Sequence, residues 1–189
     1  ARLLHSSSAI GVQLDSLADV ITSGLAPAAV LWQVCLQTEP CWLPEGWKLG
    51  YGVFVLAAFS ALRLAKFNID ETQTVEFCGL PTPAGSLLCA SLGMLWQQGM
   101  LALSSDGVLL VAVLTSLLLV SPIRMFALKF HGFGWRGNEV RYLFLLASIV
   151  LIIILRTYAI PVIIVLYIVV SAVRWLCMRS GNPDKAPKA

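Results

Sequence analysis

The stretch GVQLDSLADVITSGLAPAAV (11–30) decides how this chain is read. It is long and apolar enough to cross a membrane, yet it carries Asp15 and Asp19 four residues apart near its start. An ionised carboxylate in hydrocarbon costs roughly 3 kcal/mol or more, so two of them persist only where something compensates them. On a helix, positions 11, 15, 19 and 23 follow one another along one face, a stripe of Gly, Asp, Asp and Ser. With a rise of about 1.5 Å per residue, the aspartates sit roughly 6 and 12 Å beyond Gly11, inside the half of the span nearest its start. Carboxylates so placed repel each other unless a cation lies between them. Oxygens at this spacing suit a hard cation such as Mg2+ or Mn2+, with phosphate oxygens completing its shell. Gly11, one turn earlier, lets a bulky polar group approach the backbone.

The rest of the chain is of the same kind. It is 58% hydrophobic and 12% charged, with a mean hydropathy of +0.83, whereas a soluble domain is about 25% charged. Apolar runs recur at 10–36, 50–67, 84–103, 108–128, 140–155 and 159–177, each near the ~20 residues of a helical crossing. The expected fold is therefore all-α, a polytopic transmembrane helix bundle with six spans here. Runs such as IVLIIIL (149–155) and VIIVLYIVV (162–170) do not alternate in polarity, as barrel strands would. Residues 1–178 are expected to form a single transmembrane domain, followed by a disordered cytoplasmic tail at 179–189.

Charge placement orients the bundle. With a cytoplasmic N-terminus, Arg2, Arg63, Lys66, Arg124, Lys129, Arg136, Arg141, Arg174, Arg179, Lys185 and Lys188 fall on or near the cytoplasmic side. Only Lys48 and Arg156 fall outside. The five cysteines contain no CxxC pair and read as small buried apolar residues, not as a metal site or disulfide framework. His5 and His131 have no ligand spacing, and no nucleic-acid partner is expected.

Along the chain, Ser6, Ser7 and Ser8 are candidate N-caps for the first span, and Pro27 predicts a bend within it. An outer loop with Trp42 and Trp47 follows, suited to the membrane interface. The second span ends in ALRLAKFN (61–68), and GLPTPAGS (79–86) predicts a tight turn opening the third. SSDG (104–107) is an outer turn, and the fourth span is expected to end in SPIRMFALKF (121–130). The last two spans form a hairpin about 156–158, with packing or contact between subunits, a homodimer, as their expected role.

Ala1-Arg2, eight residues, Gly11, three residues, Asp15, three residues and Asp19 together resemble the second half of the CDP-alcohol phosphatidyltransferase signature, D-x-x-D-G-x-x-A-R-x8-G-x3-D-x3-D. VQLDSLADVITSGLAPA, ALRLAKFN, GLPTPAGS and SPIRMFALKF are similar to the phosphatidylserine synthase branch of that family, so the resemblance runs from residue 1 to about residue 145. It implies that D-x-x-D-G-x-x precedes Ala1 in a longer parent of about eight spans. It further implies transfer of a phosphatidyl group from CDP-diacylglycerol to the hydroxyl of L-serine, releasing CMP. A two-metal site with Mg2+ or Mn2+ is implied, with Asp15 as metal ligand and Asp19 as general base also touching metal. Arg2 and Gly11 then belong to the CDP-lipid site, at the cytoplasmic face of a multi-pass protein of the bacterial inner membrane. Arg63, Lys66 and Asn68, at the end of the second span, and Arg124, after Pro122, are candidates for the diphosphate or the serine carboxylate. Of these, Arg63, Asn68 and Arg124 are the serine-binding candidates, because a guanidinium can grip a carboxylate with two bonds. The alternatives are a sister transferase using glycerol phosphate, inositol phosphate or choline, and an ion-coupled transporter with Asp15 and Asp19 as carriers.

Overall fold

The structure, a computed structural model, describes residues 9–41, 49–69, 76–126 and 138–181. The polar stretches around Ser6 to Ser8, Trp42 and Trp47 lie outside the described residues, as do Arg2 and residues 182–189 of the tail expected at 179–189, whose first three residues instead continue the last helix. The fold is mostly helical. Helix α1 (Ala9–Val20) passes through a wide π turn (Ile21–Leu25) into α2 (Ala26–Leu36). A short 3-10 stretch (Leu49–Phe54) leads into α3 (Val55–Ile69), and α4 (Thr82–Gln97) and α5 (Ser105–Val120) follow. Helices α6 (Glu139–Leu155) and α7 (Ala159–Gly181) are joined by a 3-10 turn (Arg156–Tyr158).

The expected bend at Pro27 takes the form of that π turn. Proline has no N–H and its ring presses on the carbonyl four residues back, so the regular ladder cannot run through the preceding turn. The backbone widens instead, and the Ala26 N–H bonds back to the Ile21 carbonyl. The change of register brings Gly24 against α3, where a Cβ would lie 2.9 Å from Ser60 Cβ and 3.2 Å from Ala57 Cα. Only a glycine lets the two backbones approach this closely.

Two short strands depart from the all-α expectation. β1 (Glu76–Cys78) and β2 (Arg124–Phe126) pair antiparallel, with Cys78 opposite Arg124 and Glu76 opposite Phe126. The fourth apolar run accordingly stops being helical at Val120, not near residue 128. Pro122 pushes the residue before it out of the helical region, and Ser121 sits at ψ 151°. The chain then turns along the ladder.

The buried core lies among α2, α3, α4 and α5, with Leu31, Leu56, Leu80, Leu95, Leu119 and Met125 almost fully enclosed. Helix α7 packs on α4 and on β2, while α6 leans mainly on α7. The last hairpin is thus packed into this chain through α7, the first of the two roles, packing or contact between subunits, that its lack of charge suggests. Three stretches are long and apolar enough to cross a membrane: Gln13–Leu36, Gly50–Asn68 and Glu139–Met178. Ser105–Val120 is a shorter apolar helix. The Glu139–Met178 stretch is itself doubled back at Arg156, whose φ of 46° breaks the helix.

Two ends of the bundle are marked by hydrogen bonds. At one, the Cys41 N–H donates to Asp106 Oδ1 (3.1 Å), the Ser105 N–H to the Glu39 carbonyl (3.3 Å) and Tyr158 Oη to the Met100 carbonyl (2.8 Å). At the other, α1 meets the end of α3, and the 78–82 turn meets the end of α5.

Candidate active site

Asp15 and Asp19 lie on α1 and are both exposed, as is Gly11. The polar stripe therefore opens outward over the first three of its four positions. It stops at Asp19, because the π turn begins two residues later and leaves Ser23 half-buried. Beside Asp15, Ser16 Oγ accepts a 2.8 Å hydrogen bond from Asn68 Nδ2, which fixes the last turn of α3 against the aspartate face. Asn68 thus lies against α1, with one of its donors engaged by Ser16.

Arg63 lies one and a half turns earlier on α3 and is only 8% exposed. A buried guanidinium needs partners. Its Nη1 donates to Thr82 Oγ1 at 3.2 Å, its Cζ lies 6.0 Å from the centroid of the Phe67 ring, and its positive charge is favoured by that of Asp19. Its Nε is buried with no hydrogen-bond partner among the described residues. Lys66 on the same helix is exposed, whereas Arg63 is buried and its charge acts on the second aspartate.

Thr82 is placed by local rules. Pro81 caps α4 with φ −57° and ψ 133°, and Pro83 sits in the first turn, where missing N–H groups cost nothing. The N–H groups of Ala84 and Gly85 both return to the Pro81 carbonyl. Upstream, the Gly79 N–H donates to the Ile123 carbonyl and the Leu80 N–H to the Leu118 carbonyl, each at 2.9 Å. Gly79 has φ +75°, and a Cβ there would overlap the Leu119 carbonyl. The turn expected at 79–86 is therefore a rigid clasp between the start of α4 and the end of α5. It presents Thr82, 2% exposed, to Arg63.

Arg124 reaches the same clasp by another route. It is exposed at the start of β2, paired in register with Cys78, instead of ending a helix. Four of the expected residues, Asp15, Asp19, Arg63 and Asn68, thus lie on α1 and α3 where these helices meet, and Arg124 lies on the ladder tied to the turn before α4 by the Gly79 N–H to Ile123 carbonyl bond.

Sequence reading passed over Thr82 as a single residue, and Tyr167 and Asn138 altogether. The signals existed: a hydroxyl between two helix-opening prolines, and one phenol in an otherwise apolar run. Asn138 is 1% exposed, and its Oδ1 accepts a 2.8 Å bond from Arg141 Nη1, so Arg141, 8% exposed, is more than a charge at the membrane surface.

The oxygens of Asp15 and Asp19 are of the type a divalent hard cation takes, and both are open to a ligand approaching from outside α1. No group of three or more His, Cys, Asp and Glu side chains that could hold a metal occurs among the described residues. The donors present fit part of such a site.

Comparison with known proteins bears on this geometry. Residues 1–128 match the family described as CDP-alcohol phosphatidyltransferase. Among curated relatives, the CDP-diacylglycerol–serine O-phosphatidyltransferase of Bacillus subtilis (strain 168) is 31% identical over 70% of this chain and 67% of its own length. The protein of that name from Mycobacterium tuberculosis (strain H37Rv) is 34% identical, over all of this chain and 68% of its own. That from Helicobacter pylori (strain 26695) is 30% identical, over 93% and 72%.

Proposed function

Because this chain belongs to the CDP-alcohol phosphatidyltransferase family, we propose that it transfers the phosphatidyl group of CDP-diacylglycerol to L-serine, giving phosphatidylserine and CMP. The observation that carries the reading is the junction of α1 and α3, where Asp15 and Asp19 face outward and the buried guanidinium of Arg63 interacts with Asp19. Carboxylates that hold metal and a proton-accepting group are thereby set beside a cation able to grip a carboxylate.

In this reading the serine hydroxyl attacks the phosphorus that bears diacylglycerol. The new O–P bond forms as the bond to CMP breaks, CMP leaves with that electron pair, and Asp19 takes the hydroxyl proton. A hydroxyl is a poor nucleophile at neutral pH, so a positioned carboxylate is what the step requires. A divalent ion held by Asp15 and Asp19, Mg2+ or Mn2+, together with donors from outside the described residues, would neutralise charge on the diphosphate. Arg63 holds the serine carboxylate, with Asn68 and Arg124 at the edges of the same region, and Gly11 and Arg2 border the CDP-lipid.

The topology that fits is six passes, with α4 and α5 as short ones. The aspartate end faces the cytoplasm of a bacterial inner membrane, where cytidine nucleotide and serine are dissolved and the acyl chains remain in lipid. The exposed apolar outer faces of α6 and α7, with Leu143, Ile153 and Val173 among them, suit lipid or a second copy of the chain.

The test is CMP release from CDP-diacylglycerol in liposomes carrying the full-length protein. Release that needs L-serine and Mg2+ or Mn2+ is expected. Release driven equally by glycerol phosphate, inositol phosphate or choline would overturn the serine assignment, and no release with any alcohol would overturn the transferase reading.

A further inference from the structure

Thr82 stands between two prolines at the start of α4 and is 2% exposed. A threonine at a helix start is commonly spent on capping the open N–H groups of the first turn. Here that work is done without it. Pro81 holds the cap position, its carbonyl receives the N–H groups of both Ala84 and Gly85, and Pro83 has no N–H to offer. The Thr82 oxygen is left to accept from another element, and it takes the Nη1 donor of Arg63 from α3 at 3.2 Å. Its backbone is held from the other side, because the Gly79 and Leu80 N–H groups pin the preceding turn to the Ile123 and Leu118 carbonyls, each at 2.9 Å.

Arg63 depends on that acceptor. The positive end of the helix macrodipole lies at the start of α4, and a cation is disfavoured there unless something bonds it. Among the described residues its hydrogen-bond acceptor is the Thr82 hydroxyl, Nε is buried with no partner, and the Phe67 ring, 6.0 Å from Cζ, is at the outer limit of a cation–π attraction. Removal of the hydroxyl therefore frees the guanidinium to leave the helix end. While it stays, guanidinium and helix end form a paired positive centre that would stabilise an anionic group. A carboxylate is such a group, and a planar fork grips it with two bonds.

We propose that Thr82 is a positioning residue for Arg63: its hydroxyl holds the guanidinium at the positive end of α4, so that the two together select an acceptor alcohol that carries a carboxylate. The proposal rests on the reading of Arg63 as the serine-carboxylate group. It makes the 79–86 turn a determinant of acceptor choice as well as a clasp between helices.

Thr82→Val in the full-length enzyme exchanges the hydroxyl for a methyl and keeps the shape. The expected result is a KM for serine raised about tenfold, the worth of one hydrogen bond to a charged group, with kcat and the KM for CDP-diacylglycerol within about twofold of wild type. Thr82→Ser, which keeps the hydroxyl, should return the serine KM most of the way to wild type. Arg63→Gln should raise it at least as far as Thr82→Val, and the double variant should be no worse than Arg63→Gln alone. Thr82→Ala carries the same expectation as Val and replaces it if the Val protein does not fold. An unchanged serine KM in Thr82→Val beside a raised one in Arg63→Gln overturns the proposal and leaves the Arg63 reading standing. An unchanged serine KM in Arg63→Gln removes that reading and the proposal with it. Additive effects in the double variant, or a Ser variant no better than Val, would show that Thr82 acts through packing alone and overturn it too.

Discussion

Asp15 and Asp19 share one face of α1 but not one environment, since Ser16, the neighbour of the first, accepts a bond from Asn68 of α3 while the charge of the second acts on Arg63. Asparagine keeps the size of aspartate and loses its charge and its capacity to take a proton, so the two substitutions should separate. Asp15→Asn should weaken divalent-ion dependence, with part of the rate recovered by added Mg2+ or Mn2+. Asp19→Asn should turn over serine roughly 100- to 10,000-fold more slowly, the range for a positioned base, with no recovery from added metal. Steady-state rates across a metal titration distinguish these outcomes, and near-normal turnover by Asp19→Asn would remove the base assignment. The positions of these two carboxylates were legible because a four-residue spacing is a local property of any helix. What Arg63 touches was not, because Thr82 is 19 residues away in sequence, at the start of α4.

At the scale of elements, the 79–86 turn carries the most information per residue. Gly79 occupies a left-handed conformation and backs directly onto the Leu119 carbonyl. A side chain there costs about 1–2 kcal/mol in backbone strain alone, before any overlap is relieved. Gly79→Ala should therefore lower the melting temperature of the detergent-solubilised protein by several degrees and weaken serine binding as well, because the same clasp presents Thr82 to Arg63. A variant with unaltered melting would mean that the clasp yields more easily than its backbone contacts imply. The turn itself was readable from two prolines and two glycines in eight residues. The ladder beside it was not: three-residue strands have too few side chains to show an alternation, and each exists only because the other is brought to it by α4 and α5. Arg124 was consequently expected at a helix end and stands at the head of a strand.

For the whole molecule, the hydrogen-bonded ends sort the turns into two sets, with Cys41 and Asp106 at one and Cys78 and Arg124 at the other. With the aspartate end in the cytoplasm, a membrane-impermeant maleimide applied from outside should label a protein retaining only Cys41 and spare one retaining only Cys78. The reverse pattern would put the aspartates on the side without cytidine nucleotide. The sequence alone determined the properties that depend on near neighbours and on solvent: apolar helices fit for a membrane from hydropathy, the aspartate face, and the turn that opens α4. Tertiary structure decided which distant groups meet. Asp106 is sealed by a backbone N–H 65 residues away, and Tyr167 by a carbonyl 41 residues away. The physical reason is that helical periodicity fixes a face but not what packs on it. Hydrocarbon outside the bundle and apolar side chains within it look alike to a residue pattern, so only the packed backbone assigns each buried polar group its partner.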